Sequence, residues 1–399
     1  MKLLSIDIEC TTSNKGNPFD VTNKLVSIAW TDGTTHNCVH PDSEGLRLLQ
    51  QAINSAELLI GFNIKFDLHW LRRYGIDTLD KRVFDCQVAE YVISRQRTKY
   101  PSLATCLEKY ELPQKTDVVK TEYWEKGIDT DAVPWDILSE YNINDVKTTL
   151  LLYHKQLSIL KPQQWRLIHL CCEDLLTLEE MEYNGIPVDL DAILEASNKL
   201  SEEISKIASE LGSRYPHIPV NFNSTDHLSA YLYGGTIEEE RRVLAGLYKS
   251  GGKLGQPRYS IDRQTHHLDG LVKPIKGTEL KKEGLWSTNE DTLRKLKDKT
   301  GVVPLLLKIA QLTKVNEFYQ GFIKINEEMH WPKNKIHGQF NQVTTWTGRL
   351  SSTKPNLQNM PPEMQNFVRS EYGQAETSND HLRGASASSS GVLGTHCHV

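Results

Sequence analysis

Four acidic residues, at three separate places in this 399-residue chain, could together carry metal-dependent chemistry. Asp7 and Glu9 stand two apart in an apolar stretch, and Asp67 and Asp145 follow much later. If the four carboxylates gather, their mutual repulsion favours cations that neutralise them, and ligands that are all oxygens suit Mg²⁺ or Mn²⁺. Two such ions about 4 Å apart can activate a water and stabilise the leaving oxygen of a phosphodiester. The set therefore favours a two-ion hydrolytic site.

The elements around these acids decide whether they can meet. Residues 2–8 alternate as a buried strand, which points Asp7 and Glu9 to the same side. Asn63 to Asp67 straddle a junction from strand to helix. Helical spacing of four puts Tyr141 and Asp145 on one face, where the tyrosine hydroxyl could orient the attacking water. Each acid by itself is most often a surface charge or a helix cap, so only the ordered set is specific.

The remaining pattern of the first 160 residues alternates between strands and helices. It predicts a hairpin of two strands, at 24–33 and 34–40, joined by an Asp-Gly turn. A helix at 45–53, a strand at 57–63 and a second helix at 65–75 are expected to follow. Strands first, followed by alternating strands and helices, indicate an α/β fold with a mixed sheet flanked by helices.

The second half of the chain has a mainly helical pattern. A long helix is expected over 163–183, ended by Gly185, and residues 190–330 are expected to be almost wholly helical around a basic, glycine-containing loop. Ser287 and Glu290 have the spacing of a capping box.

Composition narrows the class of protein. Hydrophobic residues make up 38% and charged residues 24% of the chain, and no apolar run is long enough to span a bilayer. No secretion signal is visible, and seven scattered cysteines without CxxC spacing favour reduced thiols in a cytoplasmic compartment.

Net charge is −5, but residues 241–283 hold ten Lys/Arg against four Asp/Glu. This basic stretch fits either contact with nucleic-acid phosphates or a solvated loop.

Three segments resemble a known family of nucleases. The stretches SIDIEC, GFNIKFD and YNINDV resemble the three motifs of the DEDD-type 3′–5′ exonucleases, which have a ribonuclease H-like fold, and the tyrosine marks the DEDDy branch. The resemblance implies metal ligation by Asp7, Glu9, Asp67 and Asp145, with Tyr141 positioning the attacking water. It also implies that Asn63 lies near the substrate and that Asp85 has a supporting role.

A second resemblance lies near the other end of the chain. TGRLSSTKPNLQNMP, at 347–361, resembles the signature of family A DNA polymerases at the junction of thumb and palm. It implies that Arg349 contacts the primer–template. Five further side chains there could donate to phosphates or base edges, namely Ser351, Ser352, Asn356, Gln358 and Asn359. Taken alone, the stretch could equally be a turn-rich segment whose amides satisfy local backbone.

The two resemblances together imply a domain order. We expect a 3′–5′ exonuclease domain at 1–160, a helical linker and polymerase thumb at 161–330, the start of a palm at 331–374, and a disordered tail at 375–399. The expected fold is α/β, with a ribonuclease H-like mixed sheet flanked by helices, followed by a mainly α-helical thumb and the beginning of a palm.

These expectations imply the N-terminal portion of a family A DNA polymerase that proofreads during DNA replication. The polymerase centre would be incomplete because the palm aspartates and the fingers are missing. Expected cofactors are two Mg²⁺ ions, with Mn²⁺ as a substitute. Expected partners are a single-stranded DNA 3′ end, a primer–template duplex and a second chain carrying palm and fingers, in a bacterial host cytoplasm if the gene is phage-encoded. The alternatives are a non-catalytic DNA-binding fragment that needs this second chain, or a stand-alone exonuclease that trims RNA.

Overall fold

The computed structural model of the protein describes residues 2–115, 117–249, 252, 255–332 and 334–369. Its strands are β1 (Leu3–Cys10), β2 (Leu25–Thr31), β3 (His36–Val39), β4 (Leu58–Gly61), β5 (Arg82–Asp85), β6 (Ile186–Pro187), β7 (Gly235–Leu247), β8 (Pro257–Leu268), β9 (Lys335–Ile336), β10 (Gln339–Asn341) and β11 (Ser351–Thr353). Its α-helices are α1 (Ser43–Ser55), α2 (Ile64–Arg73), α3 (Cys86–Ile93), α4 (Leu103–Lys109), α5 (Val118–Glu122), α6 (Trp135–Ile159), α7 (Pro162–Asn184), α8 (Leu190–Gly212), α9 (Thr225–Tyr233), α10 (Glu290–Lys295) and α11 (Val302–Glu328).

A five-stranded mixed sheet, in the order β3-β2-β1-β4-β5, forms the centre of the first part of the chain. β1 pairs antiparallel with β2 and parallel with β4, so it is the middle strand. β2 and β3 form the hairpin that the sequence predicts, and β4 pairs parallel with β5. The expected mixed sheet is confirmed, and the strand that carries Asp7 and Glu9 lies at its centre.

Apolar side chains hold this sheet against its helices. Ile6 and Ile8 of β1 and Leu59 and Ile60 of β4 are all buried. Each such side chain contributes about 1.5–3 kcal/mol when it is fully removed from water. α6 packs on β1 and β2, α2 on β1 and β4, and α7 on β5, which gives the flanking helices that the sequence predicts.

The described chain divides into two compact units, and the first of them is discontinuous. It comprises residues 1–189, 328–358 and 366–369. Within it, the short strand β6 pairs with β9, and β10 pairs with β11. The backbone N–H of Phe340 in β10 donates to Oε1 of the buried Glu182 in α7 over 2.6 Å. The later segment is thus bonded directly to the earlier helices of the same unit.

The second unit comprises residues 190–327 and 359–365. Its main core joins α8, α9, α10 and α11 through buried side chains that include Leu211, Tyr231, Leu293, Val302 and Leu306. α11, with 27 residues, lies within the stretch that was expected to be helical. The mainly helical character of this part is also confirmed.

A long antiparallel hairpin of β7 and β8 is the main departure from expectation. The basic stretch was expected to be a loop in an otherwise helical region, and for residues 241–247 and 257–268 that expectation is wrong. Apart from its base, where Ile237 and Leu268 are buried against Ala230, the hairpin is largely exposed. Because both faces are wet, the strands lack the alternation of apolar and polar residues that normally indicates a strand.

Two smaller points concern helix ends. α10 begins after Asn289, whose Oδ1 accepts a hydrogen bond from the Thr292 N–H over 2.8 Å, so the predicted capping box at Ser287 and Glu290 is wrong. α7 ends at Gly185 with φ of 66°, as expected.

No α-helix among the described residues is long and apolar enough to cross a membrane. The domain borders expected at 160, 330 and 374 stay predictions, and the tail expected at 375–399 lies outside the described residues.

Candidate active site

Three carboxylates meet where β1 lies beside α6. Oxygens of Asp7, Glu9 and Asp145 all lie within 4.8 Å of one another. Asp7 and Glu9 are half-buried on the same side of β1, as their spacing predicts. Ile6, before them, and Ile8, between them, are buried. Asp67, also buried, is not in this group of three, but its Oδ1 accepts a hydrogen bond from the backbone N–H of Ile8 over 3.1 Å. The fourth predicted acid is therefore tied to the strand residue between the first two.

Asp85 positions the start of the helix that carries Asp67. It is 2% exposed, and its carboxylate accepts hydrogen bonds from the backbone N–H groups of Asn63, Ile64, Gln87 and Val88. Asn63 stands at the N-terminus of α2 with φ of 61°, a left-handed conformation that asparagine tolerates better than most residues. Its side chain is exposed and makes no capping bond, and its place near a substrate stays a prediction.

Burial disfavours the state in which all four carboxylates of the cluster are ionised. It raises the pKa of Asp7 to about 8, and the charge of Asp145 adds to the shift. Burial followed by the neighbouring carboxylates also raises the pKa of Glu9 and that of Asp67. Burial likewise raises the pKa of Asp145, although the nearby Lys115 opposes that shift. The site therefore holds protons near neutral pH unless another cation replaces them.

Lys115 is a residue of the site that sequence reasoning missed. Its Nζ donates to Asp145 Oδ2 over 2.9 Å and to Tyr141 Oη over 3.0 Å, and its side chain is only 18% exposed. Burial is the largest single influence and disfavours the ammonium, but the charges of Asp145 and Tyr141 and the hydrogen bonds to both together outweigh it and raise the pKa of Lys115. Burial and Asp145 also raise the pKa of Tyr141, which keeps the phenol protonated. Lys115 lies between α4 and α5, outside any periodic segment that could have indicated its position.

Asn142 is the second residue that sequence reasoning missed. Its Nδ2 donates to Asp7 Oδ2 over 2.6 Å, and its Oδ1 accepts from Ser27 Oγ over 3.2 Å. It stands three residues before Asp145 on α6, a spacing that places two side chains close together on a helix. That spacing was the available signal. The amide fixes the orientation of the Asp7 carboxylate.

The donor set fits a hard divalent cation. Asp145 Oδ1 is buried and has no hydrogen-bond partner among the described residues. An unsatisfied buried carboxylate oxygen is costly, and an ion among three carboxylates would satisfy it. All the donors are oxygens, which suit Mg²⁺ or Mn²⁺ better than softer metals.

The stretch around Arg349 is built by local hydrogen bonds. Arg349 is exposed, and its backbone carbonyl accepts from Thr345 Oγ1 over 2.8 Å. Ser351 shares a hydrogen bond with Thr344, and the buried Ser352 hydroxyl accepts from the Leu357 N–H and donates to the Pro355 carbonyl. Asn356, Gln358 and Asn359 are exposed, and Asn356 caps the Gln358 N–H. The Ser352 hydroxyl is thus bonded to the backbone of neighbouring residues, and its contact with DNA stays a prediction. None of these residues bonds to the acidic cluster in the described part of the chain.

Two sequence models of protein families match the chain. The model described as 3′-5′ exonuclease matches residues 1–161, and the model described as DNA polymerase family A matches residues 262–382, only part of a polymerase domain. All four acids and Tyr141 lie within the first match, and Arg349 lies within the second.

Relatives and a solved structure agree with these matches. The chain is 25% identical over 378 residues to a DNA polymerase of Bacillus phage SP01, covering 88% of this chain and 40% of that protein. It is 28% identical over 310 residues to DNA polymerase I of Bacillus subtilis, covering 73% and 28% respectively. The fold is similar to that of the POL domain of Pol1 from M. smegmatis, in complex with DNA primer-template and dNTP, with a TM-score of 0.60, 19% identity, and coverage of 92% of this chain and 52% of that one. The chain therefore spans about half or less of the length of these proteins.

Proposed function

We propose that this chain, which is part of a family A DNA polymerase and carries a 3′–5′ exonuclease domain, removes nucleotides from DNA 3′ ends by hydrolysis. The observation that supports this most is the gathering of Asp7, Glu9 and Asp145 oxygens within 4.8 Å, with Tyr141 on the same helix as Asp145. Water forms a new bond to phosphorus, the P–O3′ bond breaks, and a nucleoside monophosphate leaves. The remaining strand keeps a 3′ hydroxyl.

The cofactor we propose is Mg²⁺, at two positions, with Mn²⁺ as a substitute. Asp7, Glu9 and Asp145 would hold these ions together with Asp67. When bound, such ions lower the pKa of water and stabilise charge on the attacking and leaving oxygens.

The protein's own side chains prepare the site for this reaction. Asn142 orients Asp7, and the Ile8 N–H orients Asp67. Because the Lys115 ammonium donates to Tyr141 Oη, the phenolic hydrogen of Tyr141 points elsewhere. That hydrogen can then be donated to the attacking water or to a phosphate oxygen. We assign Tyr141 this orienting role, and Lys115 the role of holding Tyr141.

DNA is the substrate we propose, with the frayed primer end as the form that reaches the acids. Arg349, with Ser351, Asn356, Gln358 and Asn359, would contact the primer–template, and Asn63 the strand near the acids. The role in proofreading, the second chain with palm and fingers, and the cytoplasmic location stay predictions. An RNA-trimming role is less favoured, because the match to DNA polymerases extends beyond the exonuclease residues.

The test is cleavage of a primer labelled at its 5′ end, in Mg²⁺, by the parent protein and by Asp7→Ala. The variant should lose at least about 10³-fold in rate, since several kcal/mol of charge stabilisation disappear. Asp174→Ala, which removes an exposed acid from α7, is the matched control and should cleave normally. Equal cleavage by Asp7→Ala and the parent would overturn the proposal. An RNA strand of the same sequence should be cleaved more slowly than DNA.

A further inference from the structure

Two distant segments of the first unit lie side by side, at 95–100 and 344–350. Lys99 Nζ lies 5.5 Å from the centre of the Trp346 ring. The Tyr100 N–H donates to the Val343 carbonyl over 3.3 Å, and the Tyr91 hydroxyl donates to the Thr345 carbonyl. These contacts join a loop after α3 to the segment between β10 and β11. We call the surface formed by residues 95–100 and 344–350 the Trp346 platform.

Aromatic rings on this platform are unusually exposed. Trp346 is 66% and Tyr100 is 55% exposed. A tryptophan is normally at least partly covered, because water around so large an apolar surface is unfavourable. A ring that is largely exposed and approached by a lysine is suited to stacking with another flat group.

The charge of the platform has one sign. Its two segments contain Arg95, Arg97, Lys99 and Arg349 and no acidic residue. None of these four cations forms an ion pair with another residue in the described ranges. Four uncompensated cations attract a polyanion, and the chain's net charge of −5 makes this local excess a departure from the average surface.

A recess extends from Tyr100 of the platform to Asn63, which stands four residues before Asp67. Tyr100 and Asn63 both line a polar recess of about 190 Å³, together with Lys65 and Gln342. Asn63 stands at the N-terminus of α2, one turn before Asp67. A strand whose 3′ end lies at the acids therefore has a polar path past Asn63 toward Tyr100 and Trp346.

We propose that the Trp346 platform binds single-stranded DNA. The bound tract is the one on the 5′ side of the 3′-terminal nucleotide that lies at the acids. A base stacks on Trp346, and Arg97 and Lys99 contact phosphates beside it. Exposed aromatics combined with a basic track bind single strands with little dependence on sequence, because every base has a flat face. This inference rests on the proposed exonuclease function, to which it adds a binding site for the substrate strand.

Binding measured without cleavage tests the platform. A 12-nucleotide oligothymidylate with a fluorescent label is titrated with the protein in EDTA, and its anisotropy gives Kd at several salt concentrations. Trp346→Ala should weaken binding by roughly 5- to 150-fold, the range expected for one lost stack. Trp346→Phe keeps an aromatic face and should recover most of the affinity. Lys99→Ala should weaken binding and lower the salt slope by about 0.7.

The binding experiment has a control variant and results that would contradict the platform. Lys126→Ala removes an exposed lysine that is already paired with Glu122, and it should bind like the parent. Parent-like affinity in Trp346→Ala, or a phenylalanine variant as weak as the alanine one, would overturn the platform. A loss that appears only with duplex DNA would overturn the single-strand assignment.

The two proposals fail in distinguishable ways. Cleavage of a dinucleotide in Mg²⁺ reports on the acids alone. Trp346→Ala should cleave the dinucleotide at the parent rate and a 12-mer more slowly. If the parent protein fails to cleave either substrate, the exonuclease proposal fails, whereas equal rates of the variant and the parent on both substrates would count against the platform.

Discussion

Lys115 Nζ lies 2.9 Å from Asp145 Oδ2, inside a cluster of acids that would otherwise have to be protonated or bound to metal. The same ammonium reaches Tyr141, both through its hydroxyl over 3.0 Å and across its ring at 4.9 Å. A residue from an irregular segment thus links an acid and an aromatic group that stand one helical turn apart on α6. Its loss should affect both of them.

Replacing Lys115 by alanine should slow cleavage by roughly 10- to 100-fold, the usual effect of losing a group that orients a catalytic residue. The effect should be non-additive with Tyr141→Phe, because Lys115 acts through the same hydroxyl. Single-turnover rates of the two single variants and the double variant measure this coupling. Lys120→Ala, on the exposed side of α5, is the control and should cleave like the parent. A strictly additive double variant would argue against the positioning role.

Stability without metal should fall as pH rises from about 4 to 8. In the folded protein Asp7 holds its proton up to a pKa of about 8, whereas the ordinary value is 3.8. Between these values the unfolded chain binds fewer protons than the folded protein, so the free energy of unfolding decreases with rising pH. Thermal unfolding in EDTA at pH 5 and pH 8 measures this fall. Asp7→Asn should flatten the dependence.

Mg²⁺ should reverse this loss, and more so at high pH, because its carboxylate ligands must be deprotonated. At 100 times its Kd the ion adds about 2.7 kcal/mol, which raises Tm by roughly 5 °C. The comparison is the Tm shift produced by Mg²⁺ at pH 5 and at pH 8. Shifts of the same size at both values would contradict binding at the acid cluster.

Asp85→Ala should destabilise the first unit by about 2–4 kcal/mol, since four backbone N–H groups lose their acceptor at the starts of two helices. Chemical unfolding followed by circular dichroism measures the change. Asp85→Asn keeps one carbonyl acceptor and should lose less. Asp80→Ala, exposed on the preceding loop, is the control and should stay within about 0.5 kcal/mol of the parent.

Glu182→Ala should be among the most destabilising changes in α7, at about 3–5 kcal/mol. Its buried carboxylate accepts from Lys65 Nζ over 2.6 Å, from His69 Nε2 over 2.8 Å and from the Phe340 N–H. Removing it leaves the partly buried Lys65 ammonium without its carboxylate partner. Glu180→Ala changes an exposed neighbour on the same helix and should be nearly neutral. Equal stability of the two variants would show that the network contributes little.

Much of the site could be predicted because regular elements carry it. Alternation in β1 places Asp7 and Glu9 on one side, and the period of α6 places Tyr141 beside Asp145, so local spacing decides both pairs. Lys115 was missed because it belongs to no periodic segment. Its position depends on how the chain between α4 and α5 packs onto α6, and spacing carries no information about that.

The hairpin of β7 and β8 could not be predicted for a different reason. Sequence patterns report which face of an element is buried, and this hairpin buries only its base, near Ile237 and Leu268. Glutamates and arginines pair across and along its strands, as Arg263 does with Glu240. These charged side chains lie on solvent-exposed faces, and an exposed face of a helix could have the same composition. Without a buried face, strand and helix patterns become difficult to distinguish.

The pairing of Glu182 with the Phe340 N–H joins groups 158 positions apart, and residues 190–327 of the second unit come between them in the sequence. A ribosome releases α7 long before it releases β10, so the Glu182 carboxylate spends that interval without one of its donors. Contacts of such long range slow folding, because chain entropy is lost before the contact forms. The first unit therefore starts to fold early but matures late, and variants that weaken the Glu182 network should reduce the yield of folded protein during synthesis more than they reduce its final stability.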